Sequence, residues 1–250
     1  MLCAVVTSGD FSTRELLQER QAYTAGANTW DLIQHVNPRM RFIVAMRDPV
    51  ERLYSDFVYF STVGDSKRIT AKYFHEQVER QVDWWHTCVQ RHDERRCLYG
   101  GDVEGMKPLR VQHNTCWLET FTDEDDAVCA AFRVGLYYYY IRDWLDTFPR
   151  DQFLFISTER YSESAINVIN SEVLMFLDLE PFYGEQEDVV KNMPKQFPLK
   201  EDAKRRLRQR NFMSNKMLPE TRSLLQEFYR PSNQLLADFL QNEDFLWYDK

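Results

Sequence analysis

The stretch RFIVAMRDPVERLYSDFVYF, residues 41–60, decides how the rest of the chain is read. Its apolar run Phe42-Ile43-Val44-Ala45-Met46 is short and partly β-branched, the pattern of a buried strand in a parallel sheet. A helix start follows at once. Asp48 stands at the N-cap, Pro49 at the first helical position and Glu51 three residues after the cap, a capping-box arrangement. Beyond Pro49, the apolar side chains of Val50, Leu53, Tyr54, Phe57 and Val58 recur at helical spacing. Arg47 is therefore expected at the carboxyl end of a strand, beside the start of a helix. Open α/β sheets bind anions there, through free amides, the helix dipole and a positive side chain. Ser55 lies eight residues after Arg47, two turns into the helix, so a guanidinium fork and a hydroxyl can grip one phosphate. The spacing alone leaves a plainer alternative open, since Asp-Pro-x-Glu opens many helices and an Arg ahead of it can pair with a carboxylate.

The segment from Arg47 to Asp56, RDPVERLYSD, resembles the 3′-phosphate-binding segment of sulfotransferases that use 3′-phosphoadenosine 5′-phosphosulfate (PAPS). The resemblance implies that Arg47 and Ser55 hold the 3′-phosphate of the nucleotide. With Tyr54, Asp56 and the aromatic run after them, the segment is most similar to Golgi glycosaminoglycan sulfotransferases. The nearest likeness among these is the N-acetylgalactosamine 4-sulfate 6-O-sulfotransferase group. The implied fold is α/β, a P-loop NTPase-like sulfotransferase fold with a parallel sheet flanked by helices. The implied reaction is in-line transfer of a sulfuryl group from PAPS to a sugar hydroxyl. A carboxylate or His would take the proton, and basic groups would stabilise the leaving nucleotide. The implied acceptor is a sulfated glycosaminoglycan of the chondroitin or dermatan type, with attack from the 6-hydroxyl of N-acetylgalactosamine 4-sulfate. The implied setting is the Golgi lumen, and no residue pattern calls for a metal.

Composition bounds the reading from outside. A chain of 250 residues with a 44% apolar fraction has ample material for one large domain. Its net charge of −8 makes nucleic acid a poor partner. No run approaches the length of a membrane span, so membrane association is expected only through an upstream anchor. The five cysteines include two spaced pairs, Cys88 with Cys97 and Cys116 with Cys129, leaving Cys3. Two disulfides and a free thiol suit an oxidising lumen, and buried free thiols are the alternative. Their spacing is not that of a zinc site.

Residues 2–7 read as a strand, 12–22 as a polar stretch with helical potential and 29–36 as a short helix before Pro38. Gly9-Asp10-Phe11-Ser12 loosely echoes a family segment near the sulfate donor, which makes Asp10 a candidate catalytic carboxylate; a turn-forming Asp after Gly is the plainer reading. Residues 61–68 read as a turn-rich connection and 71–89 as an amphipathic helix that buries its tryptophans rather than offering Trp84, Trp85 and His86 to a sugar. Residues 100–131, with three glycines and the acidic run 123–126, read as a loop insertion. Residues 134–145, with four consecutive tyrosines, read as a helix packed through its rings, 152–158 as a strand and 166–177 as a further helix; the resemblance implies that the strand runs parallel to the one before Arg47. Between residues 191 and 216 the local charge turns basic, which fits a nucleotide, a sulfated glycan or a solvated helix face equally. Lys216 occupies the place of the family's basic loop over the nucleotide, without that loop's usual glycine, and is a candidate donor contact. From Leu218 onward the chain resembles the family's C-terminal helix pair.

The family also has a phosphosulfate loop on its first strand, with a Lys or Arg for the bridging oxygen. No lysine precedes Lys67, and no Gly-x-x-x-x-Gly-Lys pattern occurs. The chain is accordingly read as a single, N-terminally truncated sulfotransferase domain over residues 1–250, lacking that first strand and loop. Two rivals follow: a catalytically inactive remnant that binds nucleotide or glycan without transfer, and a nucleotide kinase relative. The missing Walker lysine weighs against the kinase.

Overall fold

The computed structural model describes residues 3–7, 29–63, 70–99, 130–184, 188 and 216–247. In chain order these form strand β1 (Cys3–Thr7), helix α1 (Thr29–Val36), strand β2 (Arg41–Met46), then helices α2 (Pro49–Val63), α3 (Ala71–Val89) and α4 (Glu94–Tyr99). Helices α5 (Ala130–Val134) and α6 (Tyr137–Thr147), strand β3 (Phe153–Ser157), and helices α7 (Thr158–Glu163), α8 (Ala165–Val168) and α9 (Pro219–Leu240) complete the order. The three strands make one parallel sheet in the order β1-β2-β3. Phe42 lies opposite Phe153 and Met46 opposite Ser157, so β2 and β3 end level with one another. The α/β class and the parallel partner for β2 are as the sequence predicts.

The central strand is buried along most of its length because helices cover both faces. On one face Phe42 meets Trp144 and Phe148 edge-on and stacks on Phe153 at 4.7 Å between ring centres. Ile43 and Ile156 turn to the other face, against Val168. Helix α2 buries Val50, Leu53 and Phe57, the stripe its sequence spacing predicts. Helix α3 starts where Thr70 accepts the Tyr73 amide at 3.0 Å, and it buries Phe74, Val78, Val82 and Trp85. His86 is exposed, and Trp84 carries the Arg133 guanidinium on its ring face at 5.3 Å, so the Trp-Trp-His run is packing and surface. Cys88 and Cys97 form a disulfide that closes the α3–α4 turn inside the core; the side chains of Cys3, Cys116 and Cys129 lie outside the described residues.

Several boundaries differ from the sequence reading. Helix α2 continues through residues 61–63, where a turn was expected. The expected loop 100–131 ends early, because Ala130 already opens α5; residues 100–129 lie outside the described part. The tyrosine helix starts at Tyr137, since Gly135 and Leu136 break it from α5. The expected helix 166–177 is the short α8 running into a π-helical turn, Ile169–Leu174, and Asp178 closes the segment with a left-handed φ of 56°. In place of a C-terminal helix pair, α9 runs unbroken for 22 residues through Pro231. The ring removes one backbone bond, and α9 holds its line by packing on α6, α3 and α2. Among the described residues no helix is long and apolar enough to cross a membrane.

Candidate functional site

Residues 47 and 48 join the end of β2 to the first turn of α2. From the sequence, the free amides of that turn are expected to face an anion. The structure assigns them to the protein itself. The Asp48 carboxylate accepts the Val50 amide at 2.8 Å and is bonded also by the Glu51 amide, and Pro49 has none to offer. The remaining Asp48 amide donates to Glu159 Oε1 at 3.2 Å. Glu159 follows the end of β3, and the level register of the two strands sets it beside Asp48. The cap of α2 is thus closed from the neighbouring strand, and the reciprocal partner expected at Glu51 is Glu159. What remains for an anion is the side-chain face.

Glu159 is a heavily coordinated carboxylate. Besides the Asp48 amide it accepts Ser157 Oγ at 2.8 Å, Thr158 Oγ1 at 3.3 Å and the Trp247 indole N–H at 3.0 Å. Burial pushes its carboxyl upward, but the hydrogen bonds from Trp247, Ser157 and Asp48 outweigh that and leave it below the ordinary glutamate range. Asp48 goes the other way: burial, opposed by its amide bonds, holds its carboxyl above the ordinary range. Sequence reading passed over Glu159. The available signal was its place one residue past the strand partner of β2, at the edge where parallel strands present functional groups.

Helix α2 carries two lines of polar side chains. The inner line is buried. Arg52, 4% exposed, pairs with Asp56 at 2.5 Å and bonds the Tyr137 hydroxyl group. Burial raises the Asp56 carboxyl against the pull of Arg52 and Arg47, and it lifts Tyr137 to about 12. The Tyr137 hydroxyl donates to the Arg47 carbonyl at 3.1 Å, while Tyr229, wholly buried, donates to the Phe132 carbonyl at 2.7 Å. The first of the four tyrosines therefore does more than pack: it fastens the backbone at the end of β2.

The outer line holds Glu51 and Ser55, four residues apart and so on one side of the helix, with Arg47 just ahead of it in the link from β2. Ser55 is exposed, and the Arg47 guanidinium, half-buried, makes no hydrogen bond or ion pair among the described residues. A guanidinium that makes no hydrogen bond among the described residues, on a backbone that Tyr137 fastens, suits a phosphate, although the Asp56 carboxylate also lies within range of its charge. Glu51 Oε1 receives Arg222 Nη1 of α9 at 2.5 Å, which brings the C-terminal helix to this face. Lys216 is exposed three residues ahead of α9, the helix whose Arg222 reaches Glu51. Asp10 and the basic stretch up to residue 215 lie outside the described residues.

A family model described as a sulfotransferase domain matches residues 28–223. Human carbohydrate sulfotransferase 15 is 33% identical over 219 residues, covering 88% of this chain and 33% of that protein. The squid Nototodarus sloanii has a carbohydrate sulfotransferase 15 that is 25% identical over 174 residues, 70% of this chain and 91% of that one. Human heparan sulfate glucosamine 3-O-sulfotransferase 6 is 32% identical over 128 residues, 49% of this chain and 36% of that protein. The chain spans about a third of the length of the mammalian relatives it matches most extensively. Among solved structures, a sulfotransferase from Alicyclobacillus acidocaldarius superposes with a TM-score of 0.50 at 15% identity, covering 86% of this chain and 60% of that one; at that identity the likeness is one of fold.

Proposed function

The chain belongs to the sulfotransferase domain family, and from that premise we propose that the protein transfers a sulfuryl group from PAPS to a hydroxyl of a glycosaminoglycan sugar. The observation that carries the reading is the Arg47 guanidinium at the end of β2, with no hydrogen bond or ion pair among the described residues, ahead of a helix that exposes the Ser55 hydroxyl. Arg47 would hold two oxygens of the nucleotide 3′-phosphate in a fork, Ser55 would donate a third bond, and Tyr137 and Glu159 would keep the backbone beneath them still. Lys216 is proposed as an additional donor contact, and Asp10 as a carboxylate near the acceptor hydroxyl. PAPS would supply the sulfuryl group and leave as adenosine 3′,5′-bisphosphate. The acceptor is proposed to be N-acetylgalactosamine 4-sulfate of chondroitin or dermatan sulfate, sulfated at the 6-hydroxyl in the Golgi lumen. Support for a carbohydrate acceptor comes from relatives named as carbohydrate and heparan sulfate sulfotransferases.

The direct test is to supply sulfur-labelled PAPS with chondroitin 4-sulfate and to map the label after enzymatic depolymerisation. The expected result is label on the 6-hydroxyl of the 4-sulfated residue. Nucleotide binding without label on this or any other glycosaminoglycan would contradict transfer and favour a binding-only protein.

A further inference from the structure

Glu51 poses an electrostatic problem for any anion held by Arg47 and Ser55. It lies in the first turn of α2, one turn from Ser55 on the same side of the helix and close in the chain to the strand-end Arg47. A doubly charged phosphate on this face would meet a negative charge at close range. A cap role would remove that charge from the face, but the cap amide is already taken by Glu159. What meets Glu51 instead is Arg222, in the first turns of α9, at 2.5 Å. Both side chains are only part-buried, 37% and 41% exposed, so the pair adds little to folding and stays within reach of a ligand in the same face.

We propose that Arg222 is a charge-compensating residue of the donor site: by pairing with Glu51 it cancels the carboxylate that would otherwise repel the nucleotide 3′-phosphate. The inference rests on the reading of Arg47 and Ser55 as the phosphate grip. It makes α9 a contributor to donor affinity without contact between Arg222 and the ligand. Because α9 also packs on α2, α3 and α6, placement of that helix and affinity for the nucleotide become linked.

A double-substitution cycle tests it. Adenosine 3′,5′-bisphosphate is titrated against the 250-residue chain by calorimetry, then against Arg222→Gln, Glu51→Gln and the combined variant, with melting temperatures recorded for each. All three variants break the α2–α9 bridge equally, so a merely structural role weakens all three alike. Charge compensation predicts otherwise. Arg222→Gln should weaken binding about tenfold, from an uncancelled like charge in a partly screened setting. Glu51→Gln should bind at least as well as the parent, and adding Glu51→Gln to Arg222→Gln should restore affinity to within about twofold of Glu51→Gln alone. Unchanged binding in Arg222→Gln, or no rescue in the combined variant, would overturn the proposal while leaving the phosphate grip intact. Absence of binding by the folded parent would instead defeat the grip itself, and this inference with it.

Discussion

Replacing Arg52 by methionine is expected to cost roughly 3–5 kcal/mol of folding stability, the largest effect of any single substitution in α2. The reason is what it leaves behind. Arg52 is 4% exposed and holds Asp56, whose carboxyl burial already raises. Without the guanidinium, Asp56 is a largely buried charge left with only the weaker pull of Arg47, and Tyr137 loses the cation beside its hydroxyl. The pH dependence follows from the sign of that shift. The folded-state value of Asp56, already above that of the unfolded chain, rises further in the variant, so the folded form binds the proton more tightly. The deficit is then full above the raised folded value and shrinks as the pH falls through it toward the unfolded value. Urea denaturation at pH 7 and pH 5 should show the larger loss at pH 7. A second substitution, Asp56→Leu, should return much of the stability, since an apolar pair of similar volume needs no partner. A loss that is small and indifferent to pH would mean that the pair is not the anchor described.

Gly135→Ala should come next, at roughly 2–3 kcal/mol, or about 5–10 °C in melting temperature. The backbone angles at Gly135 do not demand glycine; the neighbours do. A β-carbon there would lie 2.7 Å from Tyr229 Cε1, 2.8 Å from Tyr229 Cζ and 3.0 Å from Pro49 Cβ. Tyr229 is fully buried, its hydroxyl is tied to the Phe132 carbonyl and its ring is wedged against Phe132 and Phe228. The ring therefore has nowhere to swing. Part of the strain falls on Pro49, the first residue of α2, so the variant is expected to bind nucleotide more weakly as well as melt earlier. A melting temperature within a degree of the parent would show that the contact relaxes at no cost.

The parts of this molecule that are local in sequence were legible in it. Helices 29–36 and 71–89 fall where apolar periodicity and the flanking Pro38 and Thr70 set them. The strand before Arg47 and the strand near residue 153 follow from β-branched and aromatic runs, and their parallel pairing is the one the family resemblance implies. The position of Arg47 at a strand end and of Ser55 on the next helix came from the same reasoning. The missed features are those decided by residues far apart in the chain. Asp48 and Glu159 are 111 positions apart and Glu51 and Arg222 are 171 apart, so nothing local said which acid closes the cap and which is left on the outer face. Tyr137 reads as one of four equivalent rings until the fold sets its hydroxyl under Arg47. The helix pair that the resemblance implies is a single helix here, because packing of α9 on three other helices carries it through Pro231.

The most direct test of the donor site is a calorimetric titration of the 250-residue chain with adenosine 3′,5′-bisphosphate, repeated with Arg47→Ala and Ser55→Ala. Losing a charged phosphate contact should cost roughly 1.5–3 kcal/mol, so Arg47→Ala is expected to weaken binding by about ten- to a hundredfold, with Ser55→Ala toward the lower end and both folded as the parent is. Saturable binding by the parent, weakened in both variants, is the predicted result. Binding of equal strength in all three would contradict the account, because the nucleotide would then be held somewhere other than on the outer face of α2.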